Sequence, residues 1–337
     1  MIFLESDKLE IRFPELHEKA GVEITFQRTL RIPDNDRSYA LPPGLGRFPL
    51  RHIADYDLGD DEHLKRRGGL IMPMFQTDAL WINFTSSSHY WGIEYPIAIK
   101  IGTGKHCVLS GEKWSDSLES LPQNYLVVPD QPWIDGYNVG ENRVRQFVAA
   151  PLGMGYAVEE QLTEAEPVGG IQIEAFPLKR EVFEYLQKKE EELSDQNYDF
   201  ISCCAKPAAE SQMGLGAGGQ MEQEIYEDQY GKACWDLENT ERCFVTLSNA
   251  EQWMDITGEE PPMPVLSAEV YNEAGLPWFA YYDNDKSAIQ GAKKLGKIKS
   301  IKTLDNDKDQ KIWGSDPDIT PSKIVGLGKR SVSSGDW

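Results

Sequence analysis

The chain has 337 residues, of which 34 are Lys or Arg and 55 are Asp or Glu, so its formal charge is −21. A protein this acidic is poorly suited to partners held through phosphate neutralisation, and we therefore expect no nucleic-acid partner. The hydrophobic fraction of 40%, with 9 Trp, 14 Tyr and 12 Phe, is too high for an acidic disordered chain. The composition therefore predicts a folded protein.

The apolar runs and the cysteines predict a soluble, cytoplasmic protein. The first residues, MIFLESDKLEIRF, contain neither the basic region nor the sustained apolar run of an export signal. The longest apolar stretches, such as 70–74 and 97–101, are far shorter than the roughly 20 residues that span a bilayer, so we expect no membrane insertion. The 5 cysteines include no CxxC pair, which favours a reducing compartment over a disulfide framework or a zinc site.

Alternating side chains predict a long strand from Val22 to Ile32. The even-numbered residues are apolar except Arg28, and the odd-numbered residues are polar, which is typical of an antiparallel sheet with one face in water. Residues 9–13 are expected to pair with this strand. Further along, 97–101 and 106–109 predict a hairpin that turns at Gly102-Thr103-Gly104.

Four more strands are predicted, at 125–128, 144–149, 171–176 and 243–247, separated by Gly and Pro. This spacing indicates a mainly β fold, with α+β as the alternative. The expected core is an antiparallel β-sandwich or a barrel-like sheet, with a few short helices in the second half.

Helical periodicity is confined to the second half of the chain. It predicts an amphipathic helix at 180–193, a short helix capped by Ser267, and a third helix at 286–295 capped by Asp285. The glycine-rich segment 202–222 predicts a long loop. We therefore divide the chain into a β-rich region, 1–178, and a mixed helix and strand region, 179–337, which can pack on the first as one unit.

Short motifs indicate no catalytic centre and no cofactor. Gly214 to Gly219 lack the strand and helix context of a nucleotide-binding loop. The nucleophile types at 86–89 and at Cys203-Cys204 lack a GxSxG elbow or a cysteine-protease signature. The 5 histidines form no metal-binding pair. Catalytic residues therefore stay unassigned and an enzyme is disfavoured.

The acidic segment Asp305 to Asp316 partly matches a calcium loop. Carboxylates occupy its first, third, fifth and twelfth positions. The sixth position is Gln310 instead of the glycine that the sharp turn needs. The segment is therefore predicted to be a solvated turn with no bound metal.

Two aromatic clusters supply the candidate binding residues. Flat rings beside carboxylates suit sugar-like ligands, whereas the alternative interpretation is a hydrophobic core and its rim. The ligand-binding candidates are Trp81, Trp91, Trp133, Tyr137, Asp130 and Asp135. The second cluster could anchor a partner chain or pack on its own domain; its candidates are Trp278, Phe279, Tyr281 and Tyr282.

Several sequence blocks resemble a group of uncharacterised bacterial and fungal proteins. The resemblance spans most of the chain and implies a cytosolic protein, without implying any catalytic residue or substrate. The blocks are FQRTLRIPD at 26–34, LPPGLGRFPLRH at 41–52, YLVVPDQPWIDGY at 125–137, VRQFVAAPLG at 144–153, GGQMEQEIYED at 218–228 and AGLPWFAYYD at 274–283.

Two functions are consistent with these features. The first is a non-catalytic, β-rich scaffold or binding protein that forms homo-oligomers. The alternative is a hydrolase acting on a carbohydrate-like ligand in an aromatic-lined cleft, with Asp130 and Asp135 as its acid and base.

Overall fold

The computed structural model describes residues 1–35, 37–59, 61–87, 93–191, 213–281, 285–310 and 316–327. Within these residues the strands are β1 Ile2–Glu5, β2 Lys8–Arg12, β3 Gly21–Thr29, β4 Ser38–Tyr39, β5 Gly44–Arg47, β6 Arg51–His52, β7 Leu70–Pro73, β8 Ala79–Ser86, β9 Ile97–Thr103, β10 His106–Cys107, β11 Leu126–Val128, β12 Trp133–Ile134, β13 Gly136–Gly140, β14 Arg143–Pro151, β15 Ile171–Pro177, β16 Met213–Glu222, β17 Glu241–Ser248, β18 Trp278–Tyr281 and β19 Ile324–Leu327. The helices are α1 Glu62–Arg67, α2 Val158–Leu162, α3 Arg180–Glu191, α4 Ala250–Thr257, α5 Ala268–Glu273 and α6 Ile301–Asp307, with 3-10 turns at Ile53–Asp55, Lys232–Cys234 and Leu295–Lys297.

The strands form a large, mostly antiparallel sheet in two halves. In the first half the neighbours run β1-β2-β3-β8-β14-β16, and in the second they run β17-β15-β9-β11. The two halves join where Met213 of β16 lies opposite Leu247 of β17. Side chains from both halves belong to one hydrophobic core. The predicted mainly β fold with a large antiparallel sheet is confirmed.

The sheet also runs across the division placed at residue 178. β14 pairs with β16 and β15 pairs with β17, so strands from both regions alternate within the same sheet. Short parallel pairings at the sheet margins add β4 to β16 and β7 to β17. Among the described residues, no helix is both long and apolar enough to cross a bilayer.

Strand β3 is buried on both faces. Val22, Ile24 and Phe26 have no exposed surface, as the alternation predicts. The prediction that the opposite face lies in water is wrong, because Thr25 and Gln27 are only 6% and 5% exposed. Aromatic side chains from neighbouring strands cover this second face, so the polar residues hydrogen bond to each other instead of to water: the Gln27 amide donates to the Thr25 hydroxyl at 2.9 Å.

The predicted glycine-rich loop is wrong for residues 213–222, which form the interior strand β16; residues 202–212 lie outside the described part of the chain. Its glycines allow close packing. A Cβ on Gly216 would lie 2.9 Å from Ile301 of α6, and one on Gly218 would lie 2.6 Å from the Val148 side chain. Glycine is unfavourable in strands in general, but here a larger residue would force the neighbouring side chains to move.

The helices follow the sequence prediction in two of three cases. α3 begins at Arg180 as predicted and is described to Glu191. α5 begins after Ser267, whose hydroxyl accepts a hydrogen bond from the Val270 amide. The helix predicted for 286–295 is wrong, since Ile289 N–H instead donates to the carbonyl of Ile225 and the described residues there form turns and a short bridge.

Helix α6 covers the outer face of β14 and β16. Ile301 and Leu304 pack with Val148, Ala150 and Tyr156 in a small second core. At this point the sheet therefore lies between the main core and α6. The main core buries one face of β16, and the second core buries the other.

Candidate functional site

Three aromatic rings from distant parts of the sequence form a continuous strip on the outer face of the sheet. The ring centroids of Trp81 and Trp133 are 6.2 Å apart, and those of Trp133 and Tyr281 are 4.9 Å apart. Strand pairing sets this arrangement, because Trp133 lies opposite Asn83 on β8 and Gln27 lies opposite Trp81. We call Trp81, Trp133 and Tyr281 the aromatic strip. All three are partly exposed, so their faces can contact a ligand.

A buried carboxylate lies beneath this strip. Asp135 is 2% exposed, and its carboxylate accepts hydrogen bonds from the Trp133 side chain and from the Gln223 amide, the latter at 2.8 Å. Desolvation raises the pKa of Asp135 to about 7, while these two hydrogen bonds lower it in part. The orientation of the central ring of the strip is thus linked to a carboxyl group that changes charge near neutral pH.

The remaining ligand-binding candidates lie elsewhere. Asp130 forms an ion pair with Lys286 at 2.6 Å. Tyr137 is 1% exposed, and its hydroxyl donates to the Leu215 carbonyl at 3.0 Å, so it belongs to the core. Trp91 lies outside the described residues.

The second aromatic cluster is divided between the core and the surface. Trp278 has no exposed surface and packs between Tyr39 and Tyr271. Its ring therefore stabilises the chain's own fold, which is the packing alternative left open by the sequence. Phe279 and Tyr281 are partly exposed, and Tyr282 lies outside the described residues.

Strand β19 presents apolar side chains at the margin of this region. It pairs in parallel with β18, with Ile324 opposite Trp278 and Leu327 opposite Tyr281. Ile324 is 56% exposed and Leu327 is 41% exposed. Within the described chain β18 is the only strand partner of β19, so we call β19 the apolar edge.

A cleft of about 420 Å³, lined by Arg31, Thr77 and Asp78, was missed by sequence reasoning. Thr77 has φ 81°, which is strained for a β-branched residue, and occupies the third position of a turn in which the Asp78 amide donates to the Phe75 carbonyl at 2.9 Å. The Arg31 guanidinium donates to Asp316 at 3.0 Å. No local motif signals this cleft, because its walls come from four separate segments.

Arg28, which interrupts the apolar row of β3, does give a sequence signal. It has no exposed surface and lies 3.8 Å from the Asp78 carboxylate, with its guanidinium carbon 5.1 Å from the centre of the Phe48 ring. Burial lowers the pKa of Arg28 to about 10, and Asp78 partly offsets that effect. The charge that interrupts the apolar row is the sequence signal for this buried pair next to the cleft, although no ion pair was predicted from it.

In its described residues, 305–310 and Asp316, the acidic segment is not the solvated turn that was predicted. Asp305 lies in α6, is 5% exposed and accepts a hydrogen bond from Tyr156 at 2.7 Å. Asp307 pairs with Lys299, whereas Asp316 pairs with Arg31, so these carboxylates have different partners. In the described ranges no group of three or more metal-ligating side chains is assembled, and Ser88, His89 and Cys203-Cys204 lie outside those ranges.

The chain matches no family model, no curated protein and no solved structure. The resemblance to a group of bacterial and fungal proteins therefore stays a prediction. Function has to be derived from the surfaces described above: the aromatic strip, the apolar edge and the cleft beside Arg31.

Proposed function

We propose that this protein is a non-catalytic, β-rich binding protein that self-associates, and that the apolar edge is its point of contact. The observation that carries the proposal is the exposure of Ile324 and Leu327 on a strand with a single partner among the described residues. An uncovered strand edge with apolar side chains is a template for another strand. A second copy supplies such a strand, and two β19 strands that pair antiparallel about a two-fold axis form a closed dimer.

Charge sets the conditions for this assembly. Each copy carries −21, so two copies repel each other at low ionic strength. At about 0.15 M salt the Debye length is roughly 8 Å, and most of the repulsion between distant surface charges is screened. Self-association is therefore expected to tighten as salt is added.

Sedimentation velocity at micromolar concentration, in low and high salt, tests the proposal. We expect a species of about twice the monomer mass of 38.1 kDa, more populated at high salt. The double substitution Ile324→Lys and Leu327→Lys is expected to give a monomer. Leu121→Lys with Leu237→Lys is the matched control, because both leucines are exposed elsewhere on the surface. The proposal is contradicted if the wild type is a monomer in all conditions, or if both double variants lose the dimer to the same extent.

A second candidate function is the binding of a carbohydrate-like ligand on the aromatic strip. Coplanar contacts between ring faces and sugar C–H groups need partly exposed aromatics with polar neighbours, and Asn83 lies beside the strip on β8. Hydrolysis is disfavoured, since the Asp130 carboxylate is engaged by Lys286 and Asp135 is almost inaccessible. We therefore place binding ahead of the hydrolase alternative.

Tryptophan fluorescence during titration with a panel of oligosaccharides tests this second candidate. A ligand should quench the emission of the wild type, and Trp133→Ala should weaken its binding at least tenfold. Tyr185→Ala is the control, because Tyr185 is an exposed aromatic residue on α3. Release of reducing sugar, measured on the same samples, would favour the hydrolase alternative over simple binding.

A further inference from the structure

A second cleft, of about 460 Å³, lies between three segments that are far apart in the sequence. One wall is the turn after β10, with Glu112 and Lys113. The opposite wall carries Lys294 and Lys297, and Gln161 lies near the end of α2. Its volume falls in the range of small-molecule sites, about 300 to 1,000 Å³.

The cleft has a positive charge on a protein that is otherwise strongly negative. Lys113, Lys294 and Lys297 contribute three positive charges, and Glu112, which pairs with Lys294, contributes one negative charge. The ionised side chains of the lining therefore sum to +2, against −21 for the whole chain. A concave surface concentrates this field, because its low-dielectric walls reduce screening by solvent.

A buried histidine adds a directed hydrogen-bonding group to the lining. His106 is 8% exposed, and its Nδ1 lies 3.2 Å from the Gly104 carbonyl. A carbonyl only accepts, so Nδ1 carries the proton of the neutral ring and Nε2 is left for a ligand. Burial lowers the pKa of His106, and the ring is therefore neutral at pH 7 unless an anion stabilises its charged form.

Hydrogen bonds between a side chain and the backbone hold the opposite side of the cleft in place. The Gln161 amide donates to the Lys299 carbonyl at 3.0 Å, and its oxygen accepts from the Lys299 N–H at 2.7 Å. This reciprocal pair fixes the end of α2 against the segment that carries Lys294 and Lys297. The lysines therefore project from a defined backbone, which lowers the entropy cost of placing them around a ligand.

From this geometry we infer that the cleft binds a small, multiply charged anion that carries phosphate or carboxylate groups. Ammonium groups serve as point charges for such ligands, and the imidazole donates one hydrogen bond from Nε2 when the bound anion stabilises the protonated ring. The inference does not depend on self-association, because the apolar edge contributes no residue to this lining.

Isothermal titration of the full chain with sodium pyrophosphate and with sodium citrate tests the inference, with sodium chloride at equal ionic strength as the blank. We expect one site per chain with a dissociation constant below 1 mM at low salt. Lys113→Ala with Lys297→Ala should weaken binding at least tenfold. Lys188→Ala with Lys189→Ala on α3 removes the same charge elsewhere and should change it less than twofold.

The outcomes separate the ligand classes. Binding of pyrophosphate alone assigns a phosphorylated ligand, binding of citrate alone assigns a polycarboxylate, and binding of both assigns recognition by charge. The affinity of the wild type relative to His106→Gln, measured with the same anion at each pH, should rise as the pH falls from 7.5, because a bound anion favours the protonated His106 ring beside Lys113, Lys294 and Glu112. No binding of either anion up to 1 mM, or equal weakening in the two double-lysine variants, overturns the inference.

Discussion

Replacing Asp135 with Asn should remove a pH dependence of stability that the buried carboxylate imposes. Between about pH 4 and 7 the folded protein keeps a proton on Asp135, whereas the unfolded chain, with a pKa near the ordinary 3.8, has lost it. Proton release therefore favours unfolding in this window. The contribution of Asp135 to the free energy of unfolding is highest below pH 4 and falls as the pH rises through about 7.

The size of this effect follows from the two pKa values. The difference between 3.8 and about 7 corresponds to about 4 kcal/mol at 1.36 kcal/mol per pKa unit. No discount for solvent screening applies, since Asp135 is 2% exposed. Asn cannot ionise, but its amide N–H groups need acceptors, so the variant also carries a pH-independent cost of about 1 to 3 kcal/mol.

Guanidinium denaturation at pH 4 to 7.5, on the wild type and Asp135→Asn, measures this effect. The stability of the wild type minus that of the variant is expected to fall by about 4 kcal/mol across the range. Trp133→Phe removes one hydrogen bond that stabilises the carboxylate, so it should steepen the fall. The emission of Trp133 should titrate near pH 7 in the wild type and lose that transition in Asp135→Asn. A wild-type to variant difference that is constant with pH, or that grows as pH rises, refutes the reasoning.

Substitutions at four further positions test the packing, each by its melting temperature and free energy of unfolding. Ile24→Asp should cost more than about 4 kcal/mol and Thr25→Asp about 2, since both are buried; a wild-type-like Thr25→Asp would place that face of β3 in water after all. Gly216→Val should cost about 3 kcal/mol, because its side chain would collide with Ile301, and full stability would contradict the close packing. Thr77→Gly should stabilise by about 1 kcal/mol by relieving a φ of 81°, whereas Thr77→Ala should not; equal effects would exclude strain.

The strands that were predicted correctly are determined by local sequence patterns. β3 and the β9-β10 hairpin are defined by alternation and by a glycine at the turn, which are properties of neighbouring residues, although the turn is Gly104-Lys105 and the predicted turn residues Gly102 and Thr103 belong to β9. The alternating pattern indicates only which face of β3 is more apolar. It did not reveal that Gln27 and Thr25 are covered by aromatic rings from β8 and β12, because that cover comes from strands much later in the chain.

Two of the wrong predictions of secondary structure share one physical reason. Gly216 and its neighbours look like a flexible loop, yet α6 and the sheet approach so closely that a Cβ at Gly216 would lie within 3.0 Å of Ile301. Residues 286–295 have helical composition, yet Lys286 pairs with Asp130 and Ile289 donates to Ile225. In both places tertiary contacts outweigh a local preference of about 1 kcal/mol per residue or less.

The sequence predicted individual residues of the candidate site, but it did not predict which of them lie together. Trp81 and Trp133 stood out as aromatics near carboxylates, and Tyr281 stood out as a partner anchor. Only strand pairing brings the three rings into one strip, and only the structure shows that Asp135 is buried whereas Asp130 forms an ion pair with Lys286. Composition contains no information on such long-range contacts.

The proposed self-association and the inferred anion site differ in their response to salt, which allows one set of measurements to separate them. Contact through Ile324 and Leu327 is opposed by like charges on the two copies, so added salt should strengthen it. Anion binding beside Lys113 and Lys297 is an attraction of opposite charges, so the same salt should weaken it. If both responses had the same sign, a single general effect of ionic strength would explain them better than two distinct surfaces.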